Sequence, residues 1–272
     1  MTSEEWLKVF KNIGKKMHGE LPEILDSGSG NVAVGRGAGG DKTYPIDKWA
    51  EDIAISALEK IHDEGESFTV ISEELGVRRF GDGENIVLID PIDGSNNAKS
   101  GFPSFSTSLA LLNGKKLSDI AVAYIINLPT GDMFWAVRGA GAYKNGVRIR
   151  TSTTEAITIA AFEASAPNRD IPPIMPILNT AKRVRCLGST ALDLAYLASA
   201  AISVFVTAMP SRTFDFAAGM LIVQEAGGIM TDLTGHTLDH VIAGLDRTVP
   251  LLASANKNLH TSVLKILNLR NS

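Results

Sequence analysis

Asn85-Ile86-Val87-Leu88-Ile89-Asp90-Pro91-Ile92-Asp93-Gly94-Ser95 is the stretch on which the reading turns. Its apolar run predicts a buried strand that delivers Asp90 at its end, and Pro91 cannot donate to a ladder, so pairing should stop there. Asp93 then returns to the same mouth, and Gly94 permits a tight turn with exposed backbone amides. Two carboxylates so close at a strand end suit a hard cation such as Mg²⁺. The Gly94 and Ser95 amides can take a phosphate oxygen. An Asp-Gly pair alone would be an ordinary turn; the whole hexapeptide behind a strand favours the site.

Other acids stand beside loops. Glu73 and Glu74 end the preceding strand, 68–74, and alternation predicts that only one of them faces a shared site. Asp47 opens a helix, where capping is the plainer role, and Asp215 also stands at a helix start. Together they lie at element ends, where α/β proteins place sites. The four negative charges of Glu73, Asp90, Asp93 and Asp215 match two Mg²⁺ ions; without metal they would repel one another and hold protons.

Around this centre, helical spacing predicts helices at 4–24 and 46–61. Between them the glycine-rich run 27–41 is expected to be a mobile loop. After the apolar run 85–91, strands at 105–114, 119–137 and 141–149, with Asn113-Gly114, Pro129-Thr130-Gly131 and Asn145-Gly146 turns, predict an antiparallel meander. Beyond residue 150 strands and helices alternate, closing with a helix at 258–269. The expected class is α/β, in two subdomains. Residues 1–150 form an α+β half carrying the metal site, and 151–272 an α/β half completing the substrate pocket.

The 272 residues carry 26 Lys and Arg against 30 Asp and Glu, so bulk charge offers no pull toward nucleic acid or an anionic membrane. The N-terminus carries acids where a secretion signal carries bases, and the longest apolar stretch, 191–209, is interrupted by polar residues. A cytoplasmic setting is expected. The single cysteine, Cys186, reads as a small buried residue rather than a nucleophile. His236 and His240 read as surface loop, and neither a GxSxG nor a Walker A pattern occurs.

The stretches GAGGDKTYPIDKWAEDIA, VISEE, IDPIDGSNNAKSGFPSFSTSLAL, GAYKNG, LGSTALDLAYLASA and FDFAAGMLIVQEAGG resemble the inositol monophosphatase-like Mg²⁺-dependent phosphatases. The likeness is greatest to the archaeal type that hydrolyses both fructose 1,6-bisphosphate and inositol monophosphate. The resemblance implies a five-layer αβαβα sandwich, a homodimer and two or three Mg²⁺ ions, replaceable by Mn²⁺. It implies that Glu73, Asp90 and the Ile92 carbonyl hold one ion and Asp90, Asp93 and Asp215 a second, with a weaker third near Glu73. Ser95 and Asp47 would orient or deprotonate water, the Gly94 and Ser95 amides would bind phosphate, and the helix at Gly188-Ser189-Thr190 would line the pocket. Two departures stand out: Ser95 replaces the threonine of animal members, and Ala208 replaces a substrate-binding Glu. Lys182, Arg183 and Arg185 are either a solvated strand end or the contact for a second phosphate. The expected activity is phosphomonoester hydrolysis, with a nucleotide 3′-phosphatase and a non-catalytic regulatory binding protein as alternatives.

Overall fold

The computed structural model describes residues 1–26, 33–38, 40 and 42–268. Helices α1 (Ser3–Asp26) and α2 (Pro45–Asp63) form one outer layer. Between them, β1 (Gly35–Arg36) and β2 (Lys42–Thr43) pair as a short antiparallel ribbon. The glycine-rich run is thus partly regular. Residues 27–32, 39 and 41, on which part of the mobile-loop expectation falls, lie outside the described residues.

The first sheet holds β3 (Phe68–Ser72), β4 (Gly76–Phe80), β5 (Asn85–Asp93), β6 (Ser106–Leu112), β7 (Ile120–Asn127), β8 (Met133–Val137), β9 (Gly141–Lys144) and β10 (Val147–Ile149), with α3 (Ser95–Ser100) following β5. Its order is β10-β9-β8-β7-β6-β5-β3-β4, so β6 to β10 are the predicted meander. β3 and β5 run parallel; the other neighbours are antiparallel. The Gly76–Phe80 strand exposes Val77, Arg78 and Arg79 in a row between its buried ends, so no inside–outside alternation shows in the sequence.

The second sheet holds β11 (Ile159–Glu163), β12 (Arg183–Arg185), β13 (Val204–Arg212), β14 (Ile229–Thr231) and β15 (Arg247–Ser254), in the order β12-β11-β13-β15-β14. Helices α5 (Thr190–Ala198) and α6 (Thr213–Glu225) lie between the two sheets, and α4 (Pro167–Thr180) and α7 (Lys257–Asn268) cover the far side. The five αβαβα layers are therefore present. Each interlayer is apolar. Trp6, Phe10 and Met17 of α1 pack on Val122 and Tyr124 of β7. Phe216, Met220 and Leu221 of α6 fill the centre. Ile174 and Val263 close the outer face against Val204 and Val206. α6 is apolar around its whole circumference because sheets flank it on both sides.

Candidate active site

β5 does not stop at Asp90. It runs through Pro91 to Asp93, with a bulge between the pairs Asp90–Ser108 and Asp93–Ser106. Proline is tolerated because the bulge removes the need for its ladder donor. The bulge also settles orientation: residues three apart on a regular strand face opposite ways, whereas here both carboxylates reach one cavity. That cavity, about 630 Å³, opens between the layers and is lined by seven acids and four bases.

Asp90 is buried and its Oδ1 has no hydrogen-bond partner among the described residues. Burial first, then the charges of Glu73, Asp93, Asp215 and Asp47, push its carboxyl well above the ordinary range. Burial likewise raises Asp93 to about 7, against hydrogen bonds to its Oδ2 from Ser189 Oγ (2.6 Å) and the Ala191 amide (2.7 Å). Ser189 thus serves Asp93, and its Oγ also accepts from Leu192 as the cap of α5. Asp215, at the start of α6, accepts the Arg212 amide at 3.0 Å.

Glu73 and Glu74 both reach the cavity wall, contrary to the alternation argument, because β3 ends at Ser72 and the two acids sit in the following turn. Glu73 Oε1 meets Arg212 Nη1 at 3.1 Å. Glu74 accepts the Thr43 hydroxyl, and its carbonyl accepts the Ala38 amide at 3.0 Å, which fastens the β1–β2 ribbon to the site. Arg212 is the residue the sequence argument missed: it stands three places before Asp215 and brings a nearly buried positive charge to a centre counted as four negatives.

Asp47 both caps and reaches the site. Its Oδ2 accepts the Tyr44 amide and its Oδ1 accepts Ser95 Oγ, each at 2.8 Å. Burial raises its pKa against those bonds. Ser95 Oγ also lies 2.9 Å from the Ile92 carbonyl, so its one proton chooses between two acceptors. Gly94 holds φ +96°, and a Cβ there would press on the Gly188 and Ser104 carbonyls. α3 starts directly after it, with the Gly94 carbonyl accepting the Asn97 and Ala98 amides, so the Ser95 and Asn96 amides have no partner inside that helix.

Some expected residues stand elsewhere. Gly188 lines the cavity, but Lys182, Arg183 and Arg185 are exposed on or beside the edge strand β12 and are not among the lining residues. Arg183 and Arg185 turn their Nη1 atoms onto the neighbouring Lys182 and Val184 carbonyls. The cavity's bases are Lys42, Lys99, Arg212 and Arg247. Ala208 packs toward α4 and α7, while Thr207 and Met209 on either side of it line the cavity. Cys186 is exposed rather than buried, because it follows the edge strand; partial burial with Glu163 and Asp193 nearby raises its thiol to about 11, so it is no thiolate.

Among the described residues no three acidic, histidine or cysteine side chains already converge as a coordinating group. The reason is visible: Glu73 has turned to Arg212 and Asp93 to Ser189 and Ala191, each carboxylate taking the donor at hand. The donor set still fits a hard divalent cation. Four carboxylates share one cavity wall, and the buried Asp90 Oδ1 has no other partner among the described residues.

The inositol monophosphatase family model matches residues 4–270. A fructose-1,6-bisphosphatase/inositol-1-monophosphatase of Archaeoglobus fulgidus is 36% identical over 86% of this chain and 87% of its own. A bifunctional NADP phosphatase/NAD kinase of Methanococcus maripaludis is 30% identical over 98% of this chain and 50% of its own length. The Nus factor SuhB of Escherichia coli is 32% identical over 81% of this chain and 84% of its own. A solved structure from Pyrococcus horikoshii, described as similar to inositol-1 monophosphatase, superposes with TM-score 0.82 at 28% identity, over 97% of this chain and 98% of that one. With the bulged Asp90–Asp93 strand end, the Asp215 helix and the five layers all in place, the chain belongs to the inositol monophosphatase family, a family of metal-dependent phosphatases.

Proposed function

We propose that this protein hydrolyses phosphomonoesters of sugars or polyols, fructose 1,6-bisphosphate and inositol 1-phosphate among them, with Mg²⁺, for which Mn²⁺ can substitute. One observation carries the reading: the buried, unpartnered Asp90 oxygen facing Glu73, Asp93 and Asp215. Glu73, Asp90, Asp93, Asp215 and the Ile92 carbonyl would hold two or three ions. When bound, such ions supply charge neutralisation at the phosphoryl oxygens and acidify water.

The chain's own groups do the rest. Once the Ile92 carbonyl is engaged, the Ser95 hydroxyl donates to Asp47, and its lone pairs face the cavity to take a proton from water. Asp47 receives that proton at Oδ1, and its raised pKa makes it a better acceptor. The Gly94 and Ser95 amides hold a phosphate oxygen at the mouth of β5. Residues 1–150 supply these acids, and 151–272 supply Asp215, Arg212 and the Gly188–Thr190 wall. For a second phosphate the cavity's own Arg247 and Lys42 replace the edge-strand cluster as candidate contacts.

Phosphate release with and without Mg²⁺ tests the reading, on fructose 1,6-bisphosphate, inositol 1-phosphate, NADP and adenosine 3′,5′-bisphosphate. Mg²⁺-dependent release from the first two supports it. Release from NADP alone would favour a nucleotide phosphatase, a reading that the Methanococcus relative supports. Absence of release from all four would favour a binding role like that suggested by the name of the Escherichia coli relative.

A further inference from the structure

Behind the four carboxylates lies an acidic pair that the proposed chemistry leaves unused. Asp193, in the first turn of α5, is 0% exposed, and no donor reaches either of its carboxylate oxygens among the described residues. The group facing it is Glu163, the last residue of β11, which also stands on the cavity wall. Asp93 and Cys186 are the other titratable neighbours, and among the described residues no basic group acts on either acid. Two carboxylates are both acceptors, so they can bond only if one carries a proton.

Glu163 Oε1 in turn accepts the Gly188 amide at 2.8 Å. Gly188 sits at φ +75° in a turn gripped from its other side, where Asn97 Nδ2 donates to the Leu187 carbonyl at 2.6 Å. The next residue, Ser189, donates to Asp93, and so does Ala191. A chain of direct contacts therefore runs from Asp193 through Glu163, Gly188 and Ser189 to the Asp93 carboxylate.

We propose that Glu163 and Asp193 hold one proton between them, Asp193 donating to Glu163, and that this pair is the positioning device for the Gly188–Ser189 turn and, through it, for Asp93. With both acids ionised, repulsion would drive Glu163 off the Gly188 amide. With the proton shared, Glu163 keeps its charge and both of its bonds, and Asp193 stays neutral and does not compete for a cation. The link to Asp93 rests on the reading of Asp93 as a cation ligand; the shared proton does not.

Infrared difference spectra between wild type and Asp193→Asn, both saturated with Mg²⁺ at neutral pH, test the proton. The expected result is a protonated-carboxyl C=O band in the wild type that the variant lacks, and its absence overturns the proposal. Mn²⁺ binding followed by electron paramagnetic resonance tests the positioning. Asp193→Asn offers Glu163 a permanent N–H donor and is expected to keep Mn²⁺ affinity within about threefold, whereas Asp193→Ala loses roughly tenfold or more. In phosphate release, kcat should fall for the Ala variant more than KM rises, and the Asn variant should restore it. Equal losses in two variants that both melt cooperatively overturn the proposal, because a charge rather than a shared proton would then be what Asp193 supplies. If the Ala variant fails to fold, the infrared band and the Asn variant still decide. If wild type binds no Mn²⁺, the proposed function fails while the band still reports the proton.

Discussion

At the scale of single residues, the site trades stability for binding capacity. The Asp90 carboxyl is raised in the folded protein by burial and by like charges, so the unfolded chain ionises it more easily. Its contribution is therefore a destabilisation that grows as pH rises above the ordinary carboxylate range. Asp90→Asn removes that charge. The metal-free variant is expected to melt higher than metal-free wild type at neutral pH, to gain nothing from added Mg²⁺, and to lose about two to three decades in turnover. Calorimetry with EDTA and with Mg²⁺ reads both signs, and a metal-free variant that melts lower than wild type would contradict the argument. Ser95 makes a narrower case. Ser95→Ala removes the hydroxyl that donates to Asp47 and that is proposed to relay a proton from water, and kcat is expected to fall about a hundredfold with KM little changed, the range of one acid–base group. Ser95→Thr keeps the hydroxyl and should keep most of the rate. Loss of KM alone in the Ala variant would reassign Ser95 to binding.

At the scale of elements, close approach and burial set the effects. Gly14 lies inside α1, where alanine would ordinarily favour the helix by about 1 kcal/mol. Here an added Cβ would run into the ring and hydroxyl of Tyr124 on β7. Gly14→Ala is expected to destabilise by about 1–3 kcal/mol, as overpacking does; denaturant titration would show the sign, and any gain in stability would refute it. α7 carries a second case. His260 is 5% exposed, with one ring nitrogen 3.0 Å from Thr231 Oγ1 on β14 and the other 3.0 Å from Ser254 Oγ on β15. Burial lowers its pKa to about 4, so the folded protein keeps the ring neutral where the unfolded chain would charge it. The unfolded state binds the extra proton between the ordinary histidine value, about 6.5, and about 4. Stability from this group is fully present above that window and falls with pH through it, at about 1.4 kcal/mol per pH unit. The acids of the site act with the opposite sign. Comparison of unfolding free energies for wild type and His260→Gln from pH 7 to 4 isolates the histidine: the difference between them should shrink as pH falls, and a constant difference would count against it.

At the scale of the whole molecule, the site draws its parts from both sheets and from the helices between them, so its filling should brace the entire fold. A ligand that binds only the folded state, at a hundred times its dissociation constant, adds about 2.7 kcal/mol, which moves the midpoint on the order of 5–10 °C for a chain of this size. Stripping divalent ions with EDTA is expected to lower the melting midpoint by that order, with Mg²⁺ or Mn²⁺ restoring it and Na⁺ at equal ionic strength failing to. The helices, the meander and the α/β alternation were legible in the chain alone, because apolar periodicity and Asn-Gly turns act over a few neighbours. The positions of Asp93, Asp47 and Asp215 near element ends were legible too, since Gly94, Pro45 and the neighbouring strands mark those ends locally, whereas Asp90, expected to end β5, lies inside it. Which acids meet was set by packing between distant segments. The bulge at Pro91 turned Asp90 and Asp93 to one cavity, and the early end of β3 turned both Glu73 and Glu74 inward. Layer packing brought Arg212 to Glu73 and left Lys182, Arg183 and Arg185 on an outer edge. The Glu163–Asp193 contact joins residues on different elements. These are contacts between residues 30 to 139 positions apart or changes of register within a strand, and neither leaves a periodic mark in the chain.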